Sequence, residues 1–121
     1  MLIASMDCGT THSRVYIVDG EGTVLGKGVR KVGVRDTAIT GNSDLLNEGI
    51  RAAFDDALTS AGLEGADVSL SVAAGMITSE LGLREVPHLG APAGIRDLAG
   101  NLVRVEDENV LPPGIPLYLI P

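Results

Sequence analysis

The stretch Asp7-Cys8-Gly9-Thr10-Thr11-His12-Ser13-Arg14 carries the residue types best suited to chemistry in this sequence. Gly9 lets the backbone come close to a ligand. Thr10, Thr11 and Ser13 offer hydroxyls, and Arg14 can pair with a phosphate. Successive N–H groups in a tight turn make a nest for an anion. Asp7 sets a condition on that reading. A carboxylate about 4 Å from one phosphate charge is repelled by roughly 4 kcal/mol at an effective dielectric of about 20. A Mg²⁺ ion between them reverses the sign, because that ion is commonly held by one or two carboxylates plus substrate phosphates. A phosphate turn here therefore requires Asp7 to face a metal. Asp, Gly and Thr equally suit a plain hairpin turn for local reasons. No Gly-Lys-Ser/Thr follows, so the stretch is not a Walker A loop. A strand follows it instead of a helix, so it is not a dinucleotide fingerprint either.

The flanking sequence must position this turn. Residues 2–6 are a short apolar run that reads as a buried strand ending at Asp7. Residues 14–18 are rich in β-branched and aromatic types and read as a second strand. Asp19-Gly20-Glu21-Gly22 signals a tight turn. Residues 23–32 read as a third strand whose glycines mark bulges. Three strands on short turns imply an antiparallel meander. Residues 33–42 have no clear period and read as a loop. Leu46, Ile50, Ala53, Phe54, Ala57, Leu58 and Ala61 fall on one helical face. Ser43 or Asn42 suits the N-cap of that helix and Gly62 the C′ position. Residues 68–74 predict a strand ending at Gly75, and 75–93 a functional loop with one helical turn. Residues 94–104 suit a short helix or strand. Residues 110–121 are apolar with no polar tail, which leads us to expect a truncated sequence. The order is that of a mixed α/β sheet with helices packed on it.

Composition narrows the function classes. A chain of 121 residues is one domain or one lobe of a larger protein. The aromatic residues are Phe54, Tyr16 and Tyr118, too few to stack on single-stranded nucleic acid. The net charge of −7 repels duplex DNA and anionic membranes. No apolar run approaches the ~20 residues of a membrane span. Cys8 is the single cysteine and reads as a small packed side chain. His12 reads as a solvated turn residue and His88 as a loop residue, too far apart to make a metal site together. Asp55 and Asp56 are adjacent on the helix and do not share a face. A soluble cytoplasmic protein is the expectation.

Asp7-x-Gly9-Thr10-Thr11-x-x-Arg14, followed by Asp19-x-x-Gly22, is similar to the first phosphate motif of the actin/hexokinase-like ATPases. A second set of segments narrows the resemblance. Ala74-Gly75-Met76-Ile77-x-Ser79, Glu85-Val86-Pro87 and Ala91-Pro92-Ala93-Gly94-Ile95-x-Asp97-Leu98 resemble the 2-dehydro-3-deoxygalactonokinase family. The likeness runs over essentially the whole chain. It departs at Cys8, where a tryptophan is common, and after Ser79, where Glu80 stands in place of basic and amide groups. The resemblance implies a ribonuclease-H-like (actin-like ATPase) lobe whose partner is a second, similar lobe of the same protein. It implies transfer of the ATP γ-phosphate to the 6-hydroxyl of 2-dehydro-3-deoxy-D-galactonate. By that analogy Gly9, Thr10, Thr11 and Arg14 engage phosphate, and Asp7 serves catalysis by holding Mg²⁺. Gly75, Met76, Ser79, Pro92 and Ala93 would touch the sugar acid. Neither nucleic acid nor membrane is an expected partner, a homodimer is left open, and the isolated lobe is expected to be inactive. Two other readings stay open. One is a regulatory or assembly module that binds nucleotide without phosphorylating sugar. The other is an α/β interaction domain whose turn binds nothing.

Overall fold

The computed structural model describes residues 1–79, 82–105 and 110–121. Glu80 therefore lies outside the described residues.

The first hairpin forms where the sequence places it. Strand β1 (Ile3–Cys8) buries Ala4, Met6 and Cys8 and turns Ile3, Ser5 and Asp7 to the opposite face. Strand β2 (Ser13–Val18) buries Ser13, Val15 and Ile17. The two pair antiparallel with Asp7 opposite Arg14. Strand β3 (Val24–Arg30) adds antiparallel to β2 and completes the meander. The register shifts between Ile17 and Val18, so a bulge is present beside Gly26. Gly26 and Gly28 have a second role that alternation alone does not reveal. A Cβ on either would overlap the backbone of Ala57 or Ala53. These glycines let a helix lie directly on the strand.

That helix is α2 (Asp44–Ala61), which buries Leu46, Ile50, Ala53, Phe54, Ala57 and Leu58. The predicted stripe is therefore the core-facing side, while Ala61 sits at its half-buried margin. Gly62 ends the helix in the left-handed region, φ 69°. Asp55 and Asp56 are exposed. Asp56 pairs with Arg30 at 2.7 Å, and Asp55 with Arg51 at 3.6 Å, one turn away.

Residues 33–42 correct the sequence reading. They hold a helix, α1 (Val34–Thr40), not a loop. Val34 is its buried residue, so no apolar stripe announces it. Its ends are set by local chemistry. The Gly33 N–H donates to Asp36 Oδ2 at 2.9 Å, and Gly41 closes the last turn at φ 79°.

Strand β4 (Leu70–Gly75) runs parallel to β1, with Asp7 beside Ala74 and Cys8 beside Gly75. Met76–Thr78 follow as the single helical turn expected there. Residues 94–104 supply both a helix, α3 (Ile95–Gly100), and a strand, β5 (Val103–Val105). The apolar end segment contains strand β6 (Leu117–Leu119), parallel to β4 and antiparallel to β5. The sheet order is β3-β2-β1-β4-β6-β5. It is a mixed sheet with an antiparallel meander and packed helices, as expected. The core lies between its α2 face and α2, with Phe54, Ile17, Leu46 and Ile50 among the fully buried side chains. Among the described residues no helix is long and apolar enough to cross a membrane.

Candidate functional site

The turn between β1 and β2 is held from outside the hairpin. Gly9 N–H donates to His12 O at 2.8 Å and closes the turn. The Gly9 and Thr10 carbonyls then accept from the first amides of α1: Val34 N at 3.2 Å and Arg35 N at 3.0 Å. Gly33 is what permits this approach, because a Cβ there would overlap the Gly9 and Thr10 carbonyls. With its carbonyls committed to α1, the turn leaves the amides of Thr10 and Thr11 without a hydrogen-bond acceptor among the described residues. Both threonines are exposed. The Thr11 hydroxyl lies 3.0 Å from His12 Nδ1. Two unclaimed N–H groups with flanking hydroxyls can receive an anion.

Asp7 lies one strand position before Cys8, on the face away from α2. Its side chain is exposed, accepts no hydrogen bond and makes no ion pair among the described residues. Arg14 is its cross-strand neighbour, yet the two do not form a salt bridge. Gly75 lies beside the carboxylate. Gly75 sits at φ 91°, and a Cβ there would fall 2.7 Å from Cys8 O and 2.9 Å from Asp7 Oδ1. Glycine therefore keeps a space open beside the acid that any other residue would fill.

The donor set decides whether Mg²⁺ fits. Among the described residues no group of three acidic, histidine or cysteine side chains converges. A caged metal is therefore not built here. One unpaired carboxylate beside an open space does suit Mg²⁺, which keeps several waters and takes the rest of its ligands from phosphates. Asp7 is the residue that would hold it.

A pocket of about 320 Å³ opens at this end of the sheet. It is lined by Asp7, Cys8, Gly9, Ala74, Gly75 and Met76 together with Thr78, His88, Ile120 and Pro121. The parallel register of β1 and β4 brings Asp7 and Gly9 together with Gly75 and Met76. Thr10, Thr11 and Arg14 belong to the same hairpin but not to the lining. Ser79 is off the lining too, with its hydroxyl donating to Met76 O at 2.7 Å. Pro92 and Ala93 are exposed and also lie off it. Thr78 and His88 are the polar wall residues that sequence reasoning missed. The Thr78 hydroxyl donates to Gly75 O at 3.1 Å and braces the turn after β4. Nothing local in the sequence marks His88, because it reaches the pocket by the fold-back of a long loop.

Cys8 is packed, as its size suggests. Burial pushes its thiol pKa up, the Ser13 hydroxyl partly opposes that, and the nearby Asp7 charge adds to the rise. The Ser13 hydroxyl lies 3.6 Å from Cys8 Sγ and 2.8 Å from Val32 O. A protonated, buried thiol is a wall group, not a nucleophile.

Solved structures share this architecture. A protein from Sinorhizobium meliloti described as a candidate 2-dehydro-3-deoxygalactonokinase matches with a TM-score of 0.69 and 21% identity. The match covers 98% of this chain and 34% of that one. A reductive activator for a corrinoid, iron-sulfur protein matches with a TM-score of 0.65 and 22% identity. It covers 100% of this chain and 23% of the other. At these identities the likeness establishes the fold, that of actin-like ATPases and kinases. The chain thus spans about a third of the length of one of these structures and about a quarter of the other. Among curated proteins none matches. The model of the 2-keto-3-deoxy-galactonokinase family matches residues 7–117, from the hairpin aspartate into β6, and the chain belongs to that family.

Proposed function

We propose that this chain is the amino-terminal lobe of an ATP- and Mg²⁺-dependent kinase that phosphorylates 2-dehydro-3-deoxy-D-galactonate at its 6-hydroxyl. Membership of a sugar-kinase family supports the reaction class. The observation that carries the site is the pairing of a turn whose Thr10 and Thr11 amides are unclaimed with an unpaired carboxylate at its start. In this reading Gly9, Thr10 and Thr11 receive the phosphates, with Arg14 supplying positive charge nearby. Mg²⁺ held by Asp7 would supply neutralisation of the phosphate charge. Gly75 and Met76 would face the sugar acid across the pocket, with Ser79, Pro92 and Ala93 in the loops beyond it. Phosphoryl transfer asks the protein mainly for positioning and electrostatic stabilisation, and these residues offer both. A second lobe in the same protein would close the cleft and hold the adenine.

The test uses the protein that carries this chain, with ATP, Mg²⁺ and the keto-deoxy sugar acid, read by ADP release. Asp7→Asn is expected to lower kcat by roughly 10²–10³-fold, the scale of losing one preorganised electrostatic group. Its unfolding midpoint should barely move, since the side chain is exposed and unpaired. Unchanged turnover in Asp7→Asn would remove the metal role. ATP hydrolysis that no sugar acid stimulates would favour the regulatory module instead.

A further inference from the structure

A sugar acid brings a carboxylate into a pocket whose charged wall is already an acid, Asp7. The Mg²⁺ proposed at Asp7 would serve the phosphates, so the carboxylate still needs a hydrogen-bond donor of its own. Among the described residues lining the pocket, His88 is the basic side chain. The other polar side chain, Thr78, already spends its hydroxyl proton on Gly75 O.

The backbone just before His88 is anchored. The loop that carries it is clamped to the turn after β4 by main-chain bonds. Leu83 N–H donates to Ile77 O at 2.9 Å, and Val86 N–H to Thr78 O at 2.8 Å. Gly82 is pressed against the Met76 and Ile77 carbonyls so closely that a Cβ would overlap them. Val86 is buried in the core, and Ile77 beneath the clamp is fully buried. His88 follows Val86 by two residues, so the anchor limits where its ring can reach. The ring itself stays exposed and free of hydrogen-bond partners among the described residues. A clamped loop that ends in an exposed, uncommitted imidazole on a pocket wall has the form of a recognition element.

We infer that His88 is the specificity residue that holds the carboxylate of the sugar acid, so that this pocket prefers acids over neutral sugars. The inference rests on the sugar-acid kinase reading above and names a determinant within it. A ring N–H donates to the carboxylate.

The experiment measures equilibrium binding of a 2-keto-3-deoxy sugar acid and of its methyl ester to the protein that carries this chain, without ATP. His88→Ala should weaken the acid by about 10- to 100-fold, the range for losing one hydrogen bond to a charged group. The ester should change by less than about twofold, and His88→Lys should restore preference for the acid. A loss common to acid and ester, no loss in either, or a wild type that does not prefer the acid overturns the inference. Turnover is read separately by ADP release. A protein that binds the acid through His88 but never phosphorylates it refutes the kinase reading and keeps the recognition residue. Normal turnover with binding indifferent to His88 does the reverse.

Discussion

Each side chain at the β1 end of the sheet is assigned to one of two environments by a single step of strand alternation. Asp7 points to solvent and Cys8 to the core, although they are neighbours. Their protonation behaviour separates accordingly. Burial raises the Cys8 pKa from its ordinary value of 9.0, so the folded protein keeps the thiol proton longer than the unfolded chain. The stabilising difference is fully present below pH 9.0 and is lost as pH rises through the folded value. Urea unfolding from pH 8 to about 11 should show wild type losing more stability than Cys8→Ala. Iodoacetamide should label Cys8 slowly at neutral pH in the folded protein and quickly in urea. Parallel pH profiles for the two proteins would refute the buried-thiol account. At this scale the sequence was informative. The small size of Cys8 suggested packing, and the Asp7–Arg14 stretch stood out by residue type. His88 was silent, because its neighbours in sequence are not its neighbours in the pocket.

Elements differ in how much of themselves they write into sequence. Helix α2 buries one continuous stripe over 18 residues, and a periodic signal of that length is hard to miss. Helix α1 buries Val34 alone, so its seven residues carry no stripe. It forms because the Asp36 carboxylate and two hairpin carbonyls satisfy the amides at its start. Strands β5 and β6 have three residues each, too short for alternation to establish itself. The parallel pairing of β1 with β4 joins segments more than sixty residues apart, and no local pattern encodes it. The β3 glycines carry a signal with two readings, bulge or close approach, and both apply. The close approach gives a sharp test. Gly28→Ala places a methyl into the Ala53 backbone and must push α2 off β3. It should cost about 1–3 kcal/mol in urea unfolding, the usual penalty for overpacking. Gly20→Ala, whose Cβ meets nothing within 4 Å, should stay within about 0.5 kcal/mol. Equal effects would mean that α2 does not pack as described.

Across the whole molecule, the candidate site gathers at one edge of the sheet, where the β1–β2 turn, the turn after β4 and the His88 loop meet. The core on the α2 face supports this edge without contributing to its chemistry, so substitutions in the two regions should separate into stability and activity effects. Among the bonds that link them are those from the amides of Val34 and Arg35 to the turn carbonyls. They tie the first hairpin to a helix that packs on α2, which in turn lies on the sheet. Those two amides are therefore local gauges of how firmly the turn is held. Deuterium uptake at residues 34 and 35 should slow when Mg²⁺ and nucleotide occupy the turn, because every opening of α1 then also disturbs a bound ligand. Nucleotide that protects other amides but leaves these two exchanging at their resting rate would place the ligand elsewhere. The same link works in the other direction, so loosening α1 at a distance from the phosphates should weaken their retention.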